Sequence, residues 1–440
     1  MWKTITDIWK AHDLRSKILW TVGLLVVFRF MAVIPIPFAN LSNLQKLFDS
    51  NQILGMLSMF SGGALEKFSI VALGVGPYIN ASIIMQLLTV LIPQLEALSK
   101  EGEQGRQTIN RYTRYLTVPL AIVQSWGLIY SVSANKEIQV FTDLTVWQQV
   151  FIVLTWTAGT VFLMWLGEII TEKGVGNGVS MIIFAGIVVD YPRMFTLLGR
   201  TADASQILGI VLLVALLIII VAAIVLINEA ERQIPVAYAK RVRGTKMYGG
   251  GGTHLPLRLN QAGVIPIIFA NSILIFPQMI ASFFSQNTGT IKQVADAVIN
   301  FLSPSKGVTY EILTFLLVAL FTYFYTFVTF NPDDVSENIQ KQGGFIVGIR
   351  PGKPTADFLR RVLFRITLAG ALFLALIAIF PYVLAQIVGA FSTLDISSFQ
   401  LRGTGLLIVV SVVLETVKQL ETMLVMRNYD GIMRKRSQAG

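Results

Sequence analysis

The 440 residues contain no cysteine and only two histidines, His12 and His254. The first absence excludes disulfides and thiol catalysis. The second excludes a histidine-based metal site, which needs several imidazoles within reach of one ion. Charge is scarce as well. Asp, Glu, Lys and Arg make up 14% of the chain, against about 25% in a typical soluble domain. Hydrophobic residues reach 54%, a balance that assigns the chain to the integral membrane proteins. The N-terminal stretch MWKTITDIWKAHDLRSK is polar and lacks a small-residue cleavage site, so the first apolar run is expected to remain as a helix. No catalytic triad, phosphate-binding loop or metal-ligand cluster stands out. Glu101 and Glu103, in EGEQGR, fall in a polar segment where solvated carboxylates are the ordinary state. Neither enzyme chemistry nor a cofactor is therefore expected.

What the chain does have is long apolar runs. A helix needs about 20 such residues to cross a bilayer. Runs lie near 18–36, 77–94, 115–134, 148–168, 206–228, 262–284, 310–330, 365–390 and 404–425, with a shorter candidate at 176–189. With ten spans, Lys and Arg are about threefold more numerous on the side of the N-terminus than on the other. Were 176–189 not to cross, the excess would reverse. The positive-inside rule thus selects ten spans with both termini cytoplasmic. The net charge of +10, held on that side, suits contact with anionic lipid or nucleic acid. The expected fold is an all-α polytopic membrane protein in two halves, 1–204 and 205–440, with five spans each. Cytoplasmic loops at 95–114, 229–261 and 331–364 are long and basic, whereas the outer segment 37–74 carries only Lys46 and Lys67. That segment ends in SGGALEKFSIVALG, residues 61–74. It is too short and too interrupted to span, and reads as a re-entrant half-helix sheltered in a protein cavity.

Residues 74–81 read GVGPYINA and residues 263–270 read GVIPIIFA, identical at five of eight positions. Each opens the second span of its half. Because five is odd, the halves enter the membrane from opposite sides, and the motif marks an inverted repeat whose interrupted helices line a pathway between them. Val75 and Ile79 lie four apart, on one helical face, as do Val179 and Ile183 on the short fifth span. Ile268 is the counterpart of Ile79. Aliphatic residues at this spacing also face lipid or neighbouring helices, so the pattern by itself leaves both readings open. The span centres hold almost no ionisable group, Arg29 being the exception. Ion-coupled transporters keep acidic or histidine residues there to bind the driving ion. A passive conduit closed by an apolar constriction needs none.

The runs IPIP (34–37), MFSGGAL (59–65), PYINASIIMQLLT (77–89), EGEQGR (101–106), RYTRY (111–115), TEKGVGNGVSMIIFAGI (171–187), THLPLRLN (253–260), FNP (330–332) and GIRPGKPT (348–355) resemble, in this order, the SecY family. Its members are the channel-forming subunits of the bacterial Sec protein translocon. The resemblance implies an hourglass channel between spans 1–5 and 6–10, sealed at the waist by aliphatic residues. Here these would be Val75, Ile79, Val179, Ile183, Ile268 and Ile408. The family often has isoleucine at all six, so the two valines imply a slightly wider ring. The plug, a short helix against the ring, would be residues 60–74, including Phe60, Ser61, Gly62, Gly63, Ala64, Leu65, Phe68 and Ile70, with the glycines as a hinge. Spans 2 and 7 would form a lateral gate, with Pro77 and Pro266 at the repeated motifs and Asn80, Gln124 and Asn271 as its polar positions.

The resemblance also implies partners. SecE and SecG would bind within the membrane. The basic loops, through Arg241, Arg243, Lys246, Arg350 and Lys353, would dock the motor ATPase SecA or the ribosome. Clients would be signal sequences and nascent or precursor polypeptides, and membrane lipids would receive segments released sideways, all in the bacterial plasma membrane. The tract YGGGGTH at 248–254 departs from the family, and a mobile loop tip is expected there. Two other readings remain on residues alone. A secondary transporter for a small solute would share the inverted repeat but predicts a polar mid-membrane pocket. An intramembrane enzyme would need a nucleophile or metal ligands at depth.

Overall fold

A computed structural model describes residues 10–40, 61–133, 140–141, 144–200, 207–238, 241–243, 246–248, 253–284, 289–302, 308–391 and 403–438, with residues 43, 44, 48, 54 and 58 between. The chain is mostly helical, as expected, and each of the ten expected spans coincides with a helix. These are α1 (His12–Val33), α2 (Gly76–Leu91), α4 (Glu103–Ser133), α5 (Val146–Lys173), α6 (Gly178–Arg200), α7 (Ile207–Glu229), α8 (Ile265–Phe284), α10 (Val308–Thr329), α12 (Lys353–Phe391) and α13 (Gly403–Gln438). Three short helices join them: α3 (Pro93–Lys100), α9 (Thr290–Phe301) and α11 (Pro332–Lys341). Among the described residues, six helices are each long and apolar enough to cross a bilayer, and α6 and α8 contain shorter apolar stretches. Pro93 breaks the second run, and α3 turns away from α2 by 100°.

Helices α1, α2, α4, α5 and α6 pack chiefly on one another, as do α7, α8, α10, α12 and α13. The two groups meet where α6 and α1 lie against α13, and where α4 lies against α8. A single large apolar cluster spans this junction and draws residues from both groups, among them Phe28, Ile83, Ile182, Ile224, Phe269 and Leu407.

The basic segments differ from plain loops. Residues 95–114 are largely helical, forming α3 and the start of α4. Residues 229–261 and 331–364 fold together. Strand β1 (Glu231–Tyr238) pairs antiparallel with both β4 (Thr253–Arg258) and β5 (Gly344–Ile346), giving the order β4-β1-β5. Ile234, Val236, Leu257 and Ile346 bury their side chains against Ile339 of α11 and Leu359 and Val362 of α12. This sheet, attached where α7 ends and α12 begins, has its own small core. A separate two-stranded hairpin, β2 (Arg241–Arg243) with β3 (Lys246–Tyr248), falls between β1 and β4 in the chain.

Candidate functional site

The two copies of the repeated motif have the same local backbone. Gly74 has φ 59° and Gly263 has φ 64°, the left-handed region that costs an L-residue about 1–2 kcal/mol and glycine almost nothing. Two residues later a helix begins in each case, α2 at Gly76 and α8 at Ile265. Pro77 and Pro266 sit in the first turn, where a missing N–H goes unmissed and a fixed φ helps. Matching side chains are buried alike: Val75 and Val264 at 0% and 7% exposed, Ile79 and Ile268 at 7% and 8%.

Five of the expected ring residues, Val75, Ile79, Ile183, Ile268 and Ile408, belong to the junction cluster, and Val179 packs against it half-buried. They come from the residue that leads into α2 and from α2, α6, α8 and α13, so elements distant in sequence bring their aliphatic ends to one place. Burial against each other rather than lipid gains little from the hydrophobic effect, since lipid tails are equally apolar. A cluster of this composition offers water no hydrogen-bonding partner. Hydrophobic constrictions in channels block ions in this way, by dewetting.

The expected plug segment takes a less regular form than a half-helix. Within residues 62–75 the helical part is a 3-10 turn, Leu65–Lys67, among other turns; Phe60 lies outside the described residues. Ser61, Ala64, Leu65 and Phe68 are at most 2% exposed, and Ile70 packs beside the junction cluster. Both ends of the segment are held. At one end, Gly62 and Gly63 have φ of 66° and 75°, and Gly62 lies so close to Gly186 of α6 that a Cβ on Gly62 would stand 2.7 Å from the Gly186 Cα. There the Arg29 guanidinium donates to the Gly62 carbonyl at 2.7 Å. An arginine inside a span is tolerated when it faces the protein interior with a partner, and a plug carbonyl supplies one.

At the other end the IPIP run is extended. The Ile36 N–H donates to the Phe68 carbonyl at 2.8 Å and the Ile70 N–H to the Ile34 carbonyl at 3.0 Å. Trp156 Nε1 donates to the Ser69 carbonyl at 3.0 Å, with the Phe68 ring 5.5 Å from the indole. Sequence reasoning missed these anchors. Arg29 was visible as an isolated mid-span charge, but nothing local named its partner.

A cavity of about 50 Å³ lies between α2, α4 and α8. Asn80, Gln124 and Ser272 supply its polar wall, and Leu65 of the plug segment, Ile79, Ile275 and Phe276 supply apolar surface. Asn80 and Gln124, two of the three expected gate positions, therefore face one cavity. Asn271 does not line the cavity; its neighbour Ser272 does. One residue is 100° of rotation on a helix, and the phase set by Ile275 and Phe276 turns Ser272 inward. No hydrogen bond joins Asn80, Gln124 and Asn271 among the described residues.

On the sheet side, polar contacts tie helices within each group, and the Gly176–Gln419 bond crosses from one group to the other. In the turn before α6, the Val175 N–H donates to Thr21 Oγ1 of α1 at 2.9 Å and the Gly176 N–H to Gln419 Oε1 of α13 at 2.7 Å. Asn260, just before the second motif, donates to Asn228 Oδ1 of α7 at 2.8 Å, and Asn228 donates to Ser411 Oγ of α13 at 3.0 Å. Arg114 and Glu168 pair at 2.7 Å between α4 and α5.

Arg241 and Arg243 are on β2 and Lys246 is on β3; their side chains, and residues 249–252 of the glycine tract, lie outside the described residues. Arg350 is exposed in the loop between β5 and α12, with its carbonyl accepting from Thr355 Oγ1 at 2.8 Å. Lys353 opens α12. Among the described residues no group of three or more His, Asp or Glu side chains converges on a point where a metal could sit.

The SecY family matches the chain over residues 69–417. A protein translocase subunit SecY from Streptomyces coelicolor is 44% identical over 439 residues, covering 97% of this chain and 98% of that one. One from Mycobacterium bovis is 42% identical over 445 residues with the same coverage. In fold, the chain is similar to a solved protein-conducting channel at TM-score 0.60 and 18% identity, over 93% of this chain and 92% of that one. It is also similar, at TM-score 0.63 and 18% identity with the same coverage, to a SecY channel whose plug domain stabilises the closed state. With a family match across most of its length and relatives of this identity and coverage, the chain belongs to the SecY family.

Proposed function

We propose that the chain is a protein-conducting channel: it passes unfolded secretory polypeptides across the bacterial plasma membrane and releases transmembrane segments sideways into lipid. The observation that carries this reading is the convergence of Val75, Ile79, Ile183, Ile268 and Ile408 in one buried cluster, with Val179 against it. They would form the sealing ring of a pore between halves 1–204 and 205–440, each with five spans, and both termini would be cytoplasmic. Aliphatic side chains make no hydrogen bonds to a passing backbone, so a polypeptide of any sequence can slide through while the ring closes around it.

The plug segment, held by Arg29 and by the IPIP run, would close the resting channel on the ring's outer side. Its displacement requires breaking the Arg29–Gly62 bond, a charge-assisted contact and hence a strong one. Helices α2 and α8 would form the lateral gate, opening through the cavity lined by Asn80, Gln124 and Ser272. An apolar segment entering there moves from water to lipid, and apolar burial drives that step.

The basic sheet and the loop bearing Arg350 and Lys353 would dock the partner that supplies energy. For the ribosome, RNA phosphates would attract these side chains; SecA would use the same face. A solved Sec61 channel similar in fold, at TM-score 0.57, is in a ribosome-channel complex. SecE and SecG would complete the membrane assembly. The transporter reading lacks the mid-membrane ionisable groups it needs.

The test exploits the missing cysteines. A single cysteine is placed at Ile79 or Ile408, and the chain is reconstituted with SecE and SecA. A precursor carrying one cysteine is then stalled in transit. ATP-dependent disulfides at both positions are expected. A precursor that crosses without crosslinking at either position would refute the ring assignment. Passage of a small solute but no precursor would replace the channel by a transporter.

A further inference from the structure

Helix α9 packs against the end of α8 remote from the sheet. Its apolar residues Ile291, Val294, Ala295 and Val298 recur three and four apart, while Lys292, Gln293, Asp296 and Asn300 take the other side. That is the pattern of an amphipathic helix. The α8 helix covers only part of the apolar face. Ala295 is 4% exposed, but Ile291 and Val294 are 55% and 59% exposed, and Phe301 at the helix end is 59% exposed. On α8 itself, Ile273, Ile280 and Phe284 fall along one exposed stripe. Between this stripe and α9 runs a groove of about 510 Å³ whose walls are almost wholly apolar, formed by Ile280, Ala281 and Phe284 on one side and Ile291, Val294 and Val298 on the other.

On a soluble protein such a patch would mark a protein partner or an aggregation hazard. Here the stripe it continues belongs to a membrane helix, so its surroundings are hydrocarbon. A short helix with a polar outer face and an incompletely covered apolar face settles in the plane of the headgroups, its apolar side a few ångströms into the acyl region. We propose that the α8–α9 groove binds an acyl chain of membrane lipid in the leaflet away from the sheet, with α9 lying flat in that leaflet's interface. This rests on the reading of α8 as a spanning gate helix. The bound chain would tie the far end of α8 to the lipid, so that the gate moves relative to a point fixed in the membrane.

Two measurements test it, and neither depends on transport. In the cysteine-free chain, a single cysteine at Val294 or at Gln293 is labelled with a polarity-sensitive fluorophore. The labelled proteins are reconstituted in phosphatidylethanolamine–phosphatidylglycerol vesicles, with and without bromine on the acyl chains. A blue-shifted emission that bromine quenches is expected at position 294, and neither effect at 293. Equal, unquenched, water-like emission at both positions would overturn the proposal. So would a disulfide between two chains at position 294 that strengthens with protein density in place of lipid quenching, since a second copy would then fill the groove.

The unmodified chain gives the second readout, which holds even if labelling disturbs the fold. A phospholipid with a photoreactive group on its acyl chain should crosslink to peptides containing residues 280–284 and 291–298. Crosslinks to the other exposed stripes but not to these would refute the groove. Loss of polypeptide crosslinking at Ile79 and Ile408 would leave this result intact, so failure of the channel reading and failure of this one are distinguishable.

Discussion

The motif at 74–81 leads into α2 from the plug segment, and its twin at 263–270 leads into α8 from the sheet. The backbone is shared, with a left-handed glycine, a proline in the first turn and a buried aliphatic pair four apart. The neighbours are not shared. The residues leading to Gly74 are anchored by Arg29, the IPIP run and Trp156. Near Gly263 the chain is anchored by Asn260, which donates both to Asn228 and to the Gly263 carbonyl, the latter at 3.3 Å. One local device therefore starts two helices from opposite sides, and the surroundings decide what each start is attached to. The first is tied to the proposed plug, the second to a small folded sheet.

The sharpest way to break this comparison is at the plug. In Gly186→Val a side chain must occupy space now held by the Gly62 backbone, so the segment cannot seat. The resting ion conductance of reconstituted channels is expected to rise strongly, with the start of α8 undisturbed. Arg29→Ala removes the charge-assisted bond and leaves the Gly62 carbonyl unpaired, at about 1.5–3 kcal/mol. That is roughly a 10- to 100-fold gain in the unseated fraction, read as resting conductance in a planar bilayer. A variant that leaks no more than the parent would show that Arg29 does not hold the plug.

Asn260→Leu tests the other copy. It strips Asn228 of a buried donor at a cost of about 1–3 kcal/mol. Thermal unfolding should come several degrees earlier, without resting leak. Leak here would mean that the two helix starts are coupled. Gly74→Ala and Gly263→Ala should cost the same, about 1–2 kcal/mol each, because the two φ values nearly coincide. A large inequality in thermal stability would end the claim of a shared device. The smallest effects are expected at the matched aliphatic pair. Ile79→Val and Ile268→Val should each lose about 0.5–1.5 kcal/mol and raise conductance alike.

Much of this was legible in the sequence because the signals are local. Apolar length placed the helices, and the repeated Gly and Pro placed two helix starts to within three residues. What escaped was set by contacts between distant segments. ERQIPVAY reads as a polar loop, and becomes strand β1 only because β4 and β5, the latter over a hundred residues away, pair with it and bury Ile234 and Val236. The IPIP run is extended in any setting that contains two prolines, but its partner, Phe68–Ile70, is not written next to it. The exchange of Asn271 for Ser272 at the cavity wall is a matter of helical phase, which Ile275 and Phe276 fix through packing. Arg29 announced itself as an anomaly and kept its partner hidden for the same reason.

The turn that begins α6 has a consequence for how the chain is made. Its Val175 amide bonds to Thr21, which has emerged long before, but its Gly176 amide waits for Gln419, near the end of the 440 residues. The proposed ring would wait likewise for Ile408. During synthesis the first five spans would sit in the membrane with one of their walls missing. The proposed barrier to ions would thus be complete only once the helix bearing Ile408 and Gln419 has joined the spans made before it.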